Sequence, residues 1–271
     1  MDSNSTRRVT SRLIDDQRRF QQIKKVQLVV KKKYSELEKI HKLFDVVDEN
    51  ADICIAVGGD GTLLKAVSEF DGPVLPIGGR TERSLGFYSD FRVQDMDLVL
   101  EQLLQGYTIE KHRKIGFEFK GKKHYALNEV RLFRGDCPSS IHFGLYIKNE
   151  DDNLERFYPK DVKADGLIFA TPVGSTAYNF NVYGPIIHKG DIMVISPISA
   201  RVPPIVTIDR FYVKITKNRG FLEYDHLIHL EIKAGDSLSV ALSDKFAQII
   251  RLKEREPFHQ KLERLSRFVM F

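Results

Sequence analysis

Cysteine is scarce: the 271 residues include two, Cys54 and Cys137. No CxxC or HxxxH spacing accompanies them, which argues against a structural zinc site. Cys54 lies inside an apolar run and reads as a small buried hydrophobe. No stretch of 18 apolar residues occurs, so no membrane span is expected. The first twenty residues are polar and charged, without an apolar h-region. They read as a solvated tail or a helix and not as a secretory signal, and Asp15 and Asp16 argue against a transit peptide. Low cysteine use and the lack of an export signal point to the cytoplasm. Repeats, low-complexity tracts and nucleic-acid motifs are also missing. The net charge of +5 and pI near 9.0 favour anionic partners. The lysines at 24, 25 and 31–33 and the basic stretch 251–267 read as solvated faces, so no nucleic acid partner is expected. The histidines are scattered; His226 and His229 would lie on opposite faces of a strand as ordinary surface residues.

Hydrophobic residues make up 42% of the chain, enough for one large domain or two small ones. Strand-like runs at Lys25–Val30, Asp52–Val57 and residues 72–78 alternate with helical spacing over Lys31–Phe44, the Leu63–Phe70 face and Asp95–Leu104. That alternation predicts an α/β domain with a Rossmann-like parallel sheet over residues 1–110. From there the chain alternates apolar and polar residues, with a hairpin around Gly121 and strands in "IHFGLYIKN", "FYVKI", "LIHLEI" and "SLSVAL". This predicts a β-rich, sandwich-like domain over 111–250. Phe258, Leu262, Leu265 and Phe268 recur at helical intervals, so 251–271 is expected to be a helix packing back on the N-terminal domain.

The stretch "ICIAVGGDGT", residues 53–62, runs from an apolar strand into a glycine turn and a helix start. Ligands bind at the carboxyl ends of strands in such sheets, and the free N–H groups of a helix start attract phosphates. The loop matches neither GxxxxGK[ST] nor GxGxxG. Asp60 would repel a phosphate unless a magnesium ion shielded it or its carboxylate took a proton from an attacking hydroxyl, which suits phosphoryl transfer. The plain structural alternative is that Asp60 caps the helix.

Further segments follow in order: "SLGFYSDF" at 84–91, "ALNEV" at 126–130 and "DGLIFATPVGSTAYNFNVYGPII" at 165–187. With GGDGT they resemble the motifs of the NAD kinase family over residues 50–190. The resemblance implies a two-domain fold and transfer of a phosphoryl group from ATP or polyphosphate, with Mg²⁺, to the 2′-hydroxyl of the adenosine ribose of NAD. It implies that Asp60 is the catalytic base. Gly58, Gly59, Gly61 and Thr62 would face the donor phosphates, with Gly61 beside the ribose. Asn128 and Glu129 would hold ribose hydroxyls and pyrophosphate, Phe87 and Tyr88 would line the adenine side, and Asp165 would contact the nicotinamide part. Thr176, Ala177 and Tyr178 would hold adenine through the turn's backbone, with Asn181 nearby. No residue is assigned as a direct metal ligand, and the resemblance implies a homodimer or homotetramer.

Each assignment has a plainer reading: core aromatics at Phe87 and Tyr88, exposed hairpin residues at Asn128–Glu129, and ordinary turns at Asp165 and "TPVGST". The sequence also departs from the family pattern. "NFNVYGP" places Phe180, Val182 and Tyr183 among usually small residues, Val173 replaces a frequent hydroxyl residue, and "GGRTERSLGF" differs on the approach to LGF. A lipid-type kinase of the GGDGT group and a non-catalytic NAD(P)-binding module are the competing expectations.

Overall fold

The computed structural model describes residues 14–19, 23–81, 86–136, 138–225 and 228–269. The first thirteen residues, Ser84 and Leu85 of the LGF segment, Cys137 and His226 lie outside them. The strand Ile53–Val57 is buried along its whole length and pairs in parallel with Lys25–Val30 on one side and Pro73–Ile77 on the other. Burial on both faces explains its unbroken apolar run. On one face Ile53, Ile55 and Val57 pack with Ile40 of α1 (Glu38–Leu43) and with Met96, Val99 and Leu103 of α3 (Met96–Leu104). On the other, Cys54 and Ala56 meet Leu63, Leu64 and Val67 of α2 (Asp60–Glu69). Burial pushes the Cys54 thiol up to about 12, so it is inert packing, as its setting in the sequence suggested.

The β-rich part follows as expected, with one difference of extent. "SLSVAL" opens a strand of 15 residues, Ser237–Arg251, much longer than its alternating start. Its first half pairs antiparallel with Phe211–Lys217, and it runs along Tyr107–Phe119 for its whole length. Its last residues pair in parallel with Pro73–Ile77. The parallel strands and the first β-layer are therefore one twelve-stranded sheet among the described residues. The second layer is a six-stranded antiparallel sheet containing Glu129–Phe133, Gly166–Ala170 and Met193–Ile198. Phe117, Phe143 and Phe211 from the first sheet and Leu132, Phe169 and Ile195 from the second fill the space between them, an aligned sandwich.

Three local expectations need correction. Ile14–Arg19 is neither tail nor helix but a strand paired with the start of Tyr107–Phe119; an edge strand is held by backbone bonds and needs no apolar pattern. The helix expected over Lys31–Phe44 begins only with a 3₁₀ turn at Ser35–Leu37 and continues as α1, because the lysine run at 31–33 has no apolar face to bury. The hairpin around Gly121 ends at Ala126, and Glu129–Phe133 crosses to the other sheet. Two short elements complete the site: α4 (Tyr178–Asn181) and α5 (Phe258–Val269).

Candidate active site

The N-cap of α2 is Gly59, in extended conformation and with no side-chain cap bond. Asp60 is the first helical residue and does not cap. Its carboxylate turns instead to the segment 86–88. The Phe87 N–H donates to Oδ1 and Oδ2, both at 2.8 Å, and the Tyr88 N–H donates to Oδ1 at 3.2 Å. Gly86 permits this approach: its φ is +76°, and a Cβ there would lie 2.5 Å from Asp60 Oδ1. Burial pushes the Asp60 carboxyl above the ordinary carboxylate value; the two amides and the positive charges of Arg264 and Lys261 act against that rise. In the loop, Gly58 N–H donates to Ile77 O at 2.8 Å and Thr62 N–H to Gly59 O at 2.9 Å. A Cβ on Gly61 would meet nothing within 4 Å, so the space before the helix start is open.

The LGF and NE segments meet through one hydrogen bond: the Tyr88 hydroxyl donates to Asn128 Oδ1 at 2.6 Å. Tyr88 is also a core residue, packed in the α2 cluster with Leu127, as its plainer reading had it. The bond turns the Asn128 amide so that its NH₂ end points away from Tyr88. Asp225 fixes this corner from below, accepting from the N–H groups of Leu127 (2.6 Å), Asn128 (2.7 Å) and Glu129 (3.3 Å). Glu129 is buried, not an exposed hairpin residue. Burial, with the Asp225 carboxylate beside it, pushes Glu129 up to about 8 against the opposing pull of Arg131. Burial raises Asp225 to about 6, held there by its three amides. Of the pair, Glu129 is the one pushed further toward its protonated form.

The turn 171–177 is built onto Asn128. Thr171 N–H donates to Asn128 O at 2.9 Å, and its hydroxyl donates to Leu127 O at 2.7 Å while accepting from the Gly174 N–H at 3.0 Å. A Cβ on Gly174 would lie 1.9 Å from Asn128 O, so only glycine allows this contact. The N–H groups of Thr176 and Ala177 are spent inside the turn, on Val173 O and Gly174 O. Any base edge read by this backbone must therefore be read largely through carbonyl acceptors. Tyr178 packs under the Arg131 guanidinium, 4.2 Å from its ring centroid, and Arg131 pairs with Glu223. Asn181 is exposed at the end of α4. The bulky departure is absorbed locally: Val182 packs on Ile168, Ala170 and Val194, and Tyr183 is 96% exposed. Asn179 ties the segment together through Ser175 O, Pro185 O and Ser196 Oγ.

Asp165 is not brought to this cluster. Gly166–Ala170 runs beside Glu129–Phe133 with Ala170 opposite Glu129 and Gly166 opposite Phe133. Asp165 therefore lies at the far end of that strand, about 15 Å away, paired with Arg134 at 3.1 Å and accepting from the Ser140 hydroxyl at 3.3 Å.

Residues 1–108 match the ATP-NAD kinase N-terminal domain and residues 127–252 the ATP-NAD kinase C-terminal domain. An NAD kinase of Bacteroides fragilis is 35% identical over 203 residues, covering 69% of this chain and 68% of that protein. An NAD kinase of Campylobacter jejuni is 32% identical over 257 residues, 90% of this chain and 86% of that protein. The chain belongs to the NAD kinase family. Its fold is shared with yeast NADH kinase, solved with NADH (TM-score 0.74, 17% identity, 92% of this chain and 88% of that one). It is also shared with an NAD kinase from Archaeoglobus fulgidus, solved with ATP (TM-score 0.70, 18% identity, 89% and 98%).

Sequence reasoning missed several charged residues that brace this cluster. Asp225 stands in "EYDHL" with no local signature, and only the fold shows that it carries the NE corner. Asp90, Arg251 and Lys261 form a buried ionic group: Lys261 Nζ lies 2.6 Å and Arg251 Nη1 3.3 Å from Asp90, and Arg251 Nε 2.6 Å from Glu110. A lone arginine ending the run "QIIR" was its one legible sign. Among the described residues no three His, Cys, Asp or Glu side chains converge as a metal-holding group. Asp60 Oδ1 accepts from both amides and Oδ2 from the Phe87 amide alone.

Proposed function

We propose that this chain is an NAD kinase that transfers the terminal phosphoryl group of ATP to the 2′-hydroxyl of the adenosine ribose of NAD, giving NADP and ADP. One observation carries the assignment of residues: the Asp60 carboxylate is fixed by the Phe87 and Tyr88 amides at the start of α2, and the Tyr88 hydroxyl in turn bonds Asn128. The ribose hydroxyl loses its proton to Asp60 as its oxygen bonds to phosphorus and the bond from phosphorus to ADP breaks. A carboxyl raised by burial is a stronger base near neutral pH than an exposed one. Asn128 presents its NH₂ donors, and Glu129, neutral at pH 7, donates an O–H toward ribose or pyrophosphate oxygens without repelling them. Residues 58–62 face the donor phosphates. Phe87 and the carbonyls of the 174–178 turn line the adenine side, with Tyr178 and Asn181 at its edge. Asp165 would touch the dinucleotide only at the end away from Asp60.

A divalent cation, Mg²⁺, would arrive on the phosphates of the donor and neutralise their charge. Inorganic polyphosphate is a second donor within the same chemistry. A homodimer or homotetramer in the cytoplasm is the setting we propose. The lipid-kinase reading is not favoured by the family matches.

The test follows NADP formation from NAD, ATP and Mg²⁺ with wild-type protein and Asp60→Asn. Turnover is expected to fall by about two to four orders of magnitude in the variant, with NAD binding retained. An Asp60→Asn enzyme that keeps most of its rate would remove Asp60 as the base. Wild-type protein that binds NAD yet turns over with no donor would support a non-catalytic module.

A further inference from the structure

The carboxylate of Asp60 is held from one side of a peptide group whose other side is held by the last helix. The Gly86–Phe87 peptide donates its N–H to Asp60 and accepts at its carbonyl from Arg264 Nη1 at 2.8 Å. Arg264 is in α5, and Glu256 fixes its guanidinium, accepting from Nη2 at 2.9 Å and Nε at 3.4 Å. One residue further on, Tyr88 donates its N–H to Asp60, while its carbonyl, part of the next peptide group, accepts from Arg251 Nη1 at 2.5 Å. Asp90 then accepts from Lys261 Nζ and from the Glu256 N–H. Phe87 packs edge-on against Phe258, ring centroids 5.8 Å apart. Residues 86–90 thus hang between the candidate base and the segment from Arg251 to Arg264.

We infer that Arg264 is a positioning residue of the phosphoryl transfer: through the Gly86–Phe87 peptide it aims the Asp60 carboxylate. The inference rests on the kinase reading above but concerns residues that reading does not use. Arg264 donates to a carbonyl on the far side of the peptide from Asp60 and has no need to touch either substrate. A guanidinium on the carbonyl polarises the peptide and strengthens its N–H as a donor to the carboxylate. Its positive charge also favours the ionised form of Asp60 directly. The charges acting on Asp60 are Arg264 and Lys261 from α5, each partly offset by its own partner, Glu256 or Asp90. The Tyr88 phenol stands nearby as a neutral group. The leading charge effects on Glu129 and Asp225 come from Asp225, Arg131 and Lys114, so a change at 264 is read chiefly at Asp60.

Arg264→Gln and Arg264→Lys in the full chain test this. In Arg264→Gln the single-turnover rate of NADP formation is expected to fall about tenfold or more, with the dissociation constant for NAD within about threefold of wild type. Asp60 must be ionised to act, and removing a positive charge raises its pKa. The acid limb of the rate–pH profile therefore moves to higher pH by about one unit. Arg264→Lys keeps the charge and loses the fork, so its limb stays near the wild-type position while the rate still falls. A ¹³C-carboxyl NMR titration of aspartate-labelled protein, with the Asp60 resonance assigned from Asp60→Asn, reads the same shift without turnover. If Arg264→Gln does not fold, the Lys variant decides: a wild-type rate overturns the proposal. An unshifted limb and an unshifted Asp60 resonance in a folded Gln variant also overturn it. Loss of the kinase reading would appear separately, as wild-type protein that makes no NADP while its Asp60 resonance still responds to Arg264→Gln.

Discussion

Two carboxylates of the site differ in what surrounds them, and that difference sets their chemistry. Burial raises both, but at Asp60 two amides and the cations Arg264 and Lys261 oppose the rise, whereas at Glu129 the Asp225 carboxylate adds to it against Arg131 alone. The folded chain holds Glu129 protonated up to about pH 8, whereas the unfolded chain releases that proton near 4.5. The folded state therefore binds more protons across that window, and its stability falls as pH rises from about 5 to 8. Glu129→Gln removes this contribution. Measured by urea unfolding, the variant should gain on the order of 2–4 kcal/mol over wild type at pH 8.5 relative to the same comparison at pH 5. Equal pH dependence in the two proteins would show that Glu129 is ionised in the fold. At this scale the sequence was legible where a residue type is rare in its setting. An aspartate between glycines and an adjacent Asn–Glu pair stand out, whereas Asp225 and Arg264 look like any surface charge until the chain is folded around them.

The turn 171–177 and α2 show how much a short element owes to what lies against it. Gly174 is pressed onto the Asn128 carbonyl, while Gly61 faces open space. Gly174→Ala should cost at least about 2–3 kcal/mol of stability and weaken NAD binding. Gly61→Ala should leave stability within about 0.5 kcal/mol of wild type and lower the rate of NADP formation. Thermal melts beside NAD titrations check both, and a harmless Gly174→Ala would mean the turn moves freely off Asn128. Most elements could be read from the sequence because apolar spacing reports burial, as in Ile53–Val57 and Met96–Leu104. Ile14–Arg19 could not, because a strand held by backbone bonds leaves no side-chain pattern. The second half of Ser237–Arg251 was also illegible. Its alternation lapses through "SDKF" at a shift in register against Tyr107–Phe119, which masks the continuity of the strand.

Across the whole molecule, the division expected near residue 110 falls inside a continuous sheet. Ser237–Arg251 pairs with Phe211–Lys217 at its start and with Pro73–Ile77 at its end, so neither half can lose its strands without opening the other. Urea unfolding followed by far-UV circular dichroism and by tyrosine fluorescence should give one coincident transition. Two separated midpoints would show that the halves melt independently. The same strand has a consequence for synthesis. Pro73 waits for Gln248, 175 positions later, and until then the nascent chain leaving the ribosome carries an unmated β-edge beside its nucleotide loop. Such a late closure is slow and invites pairing with neighbouring chains, so yield in the cell should depend on chaperones that shield that edge through most of translation.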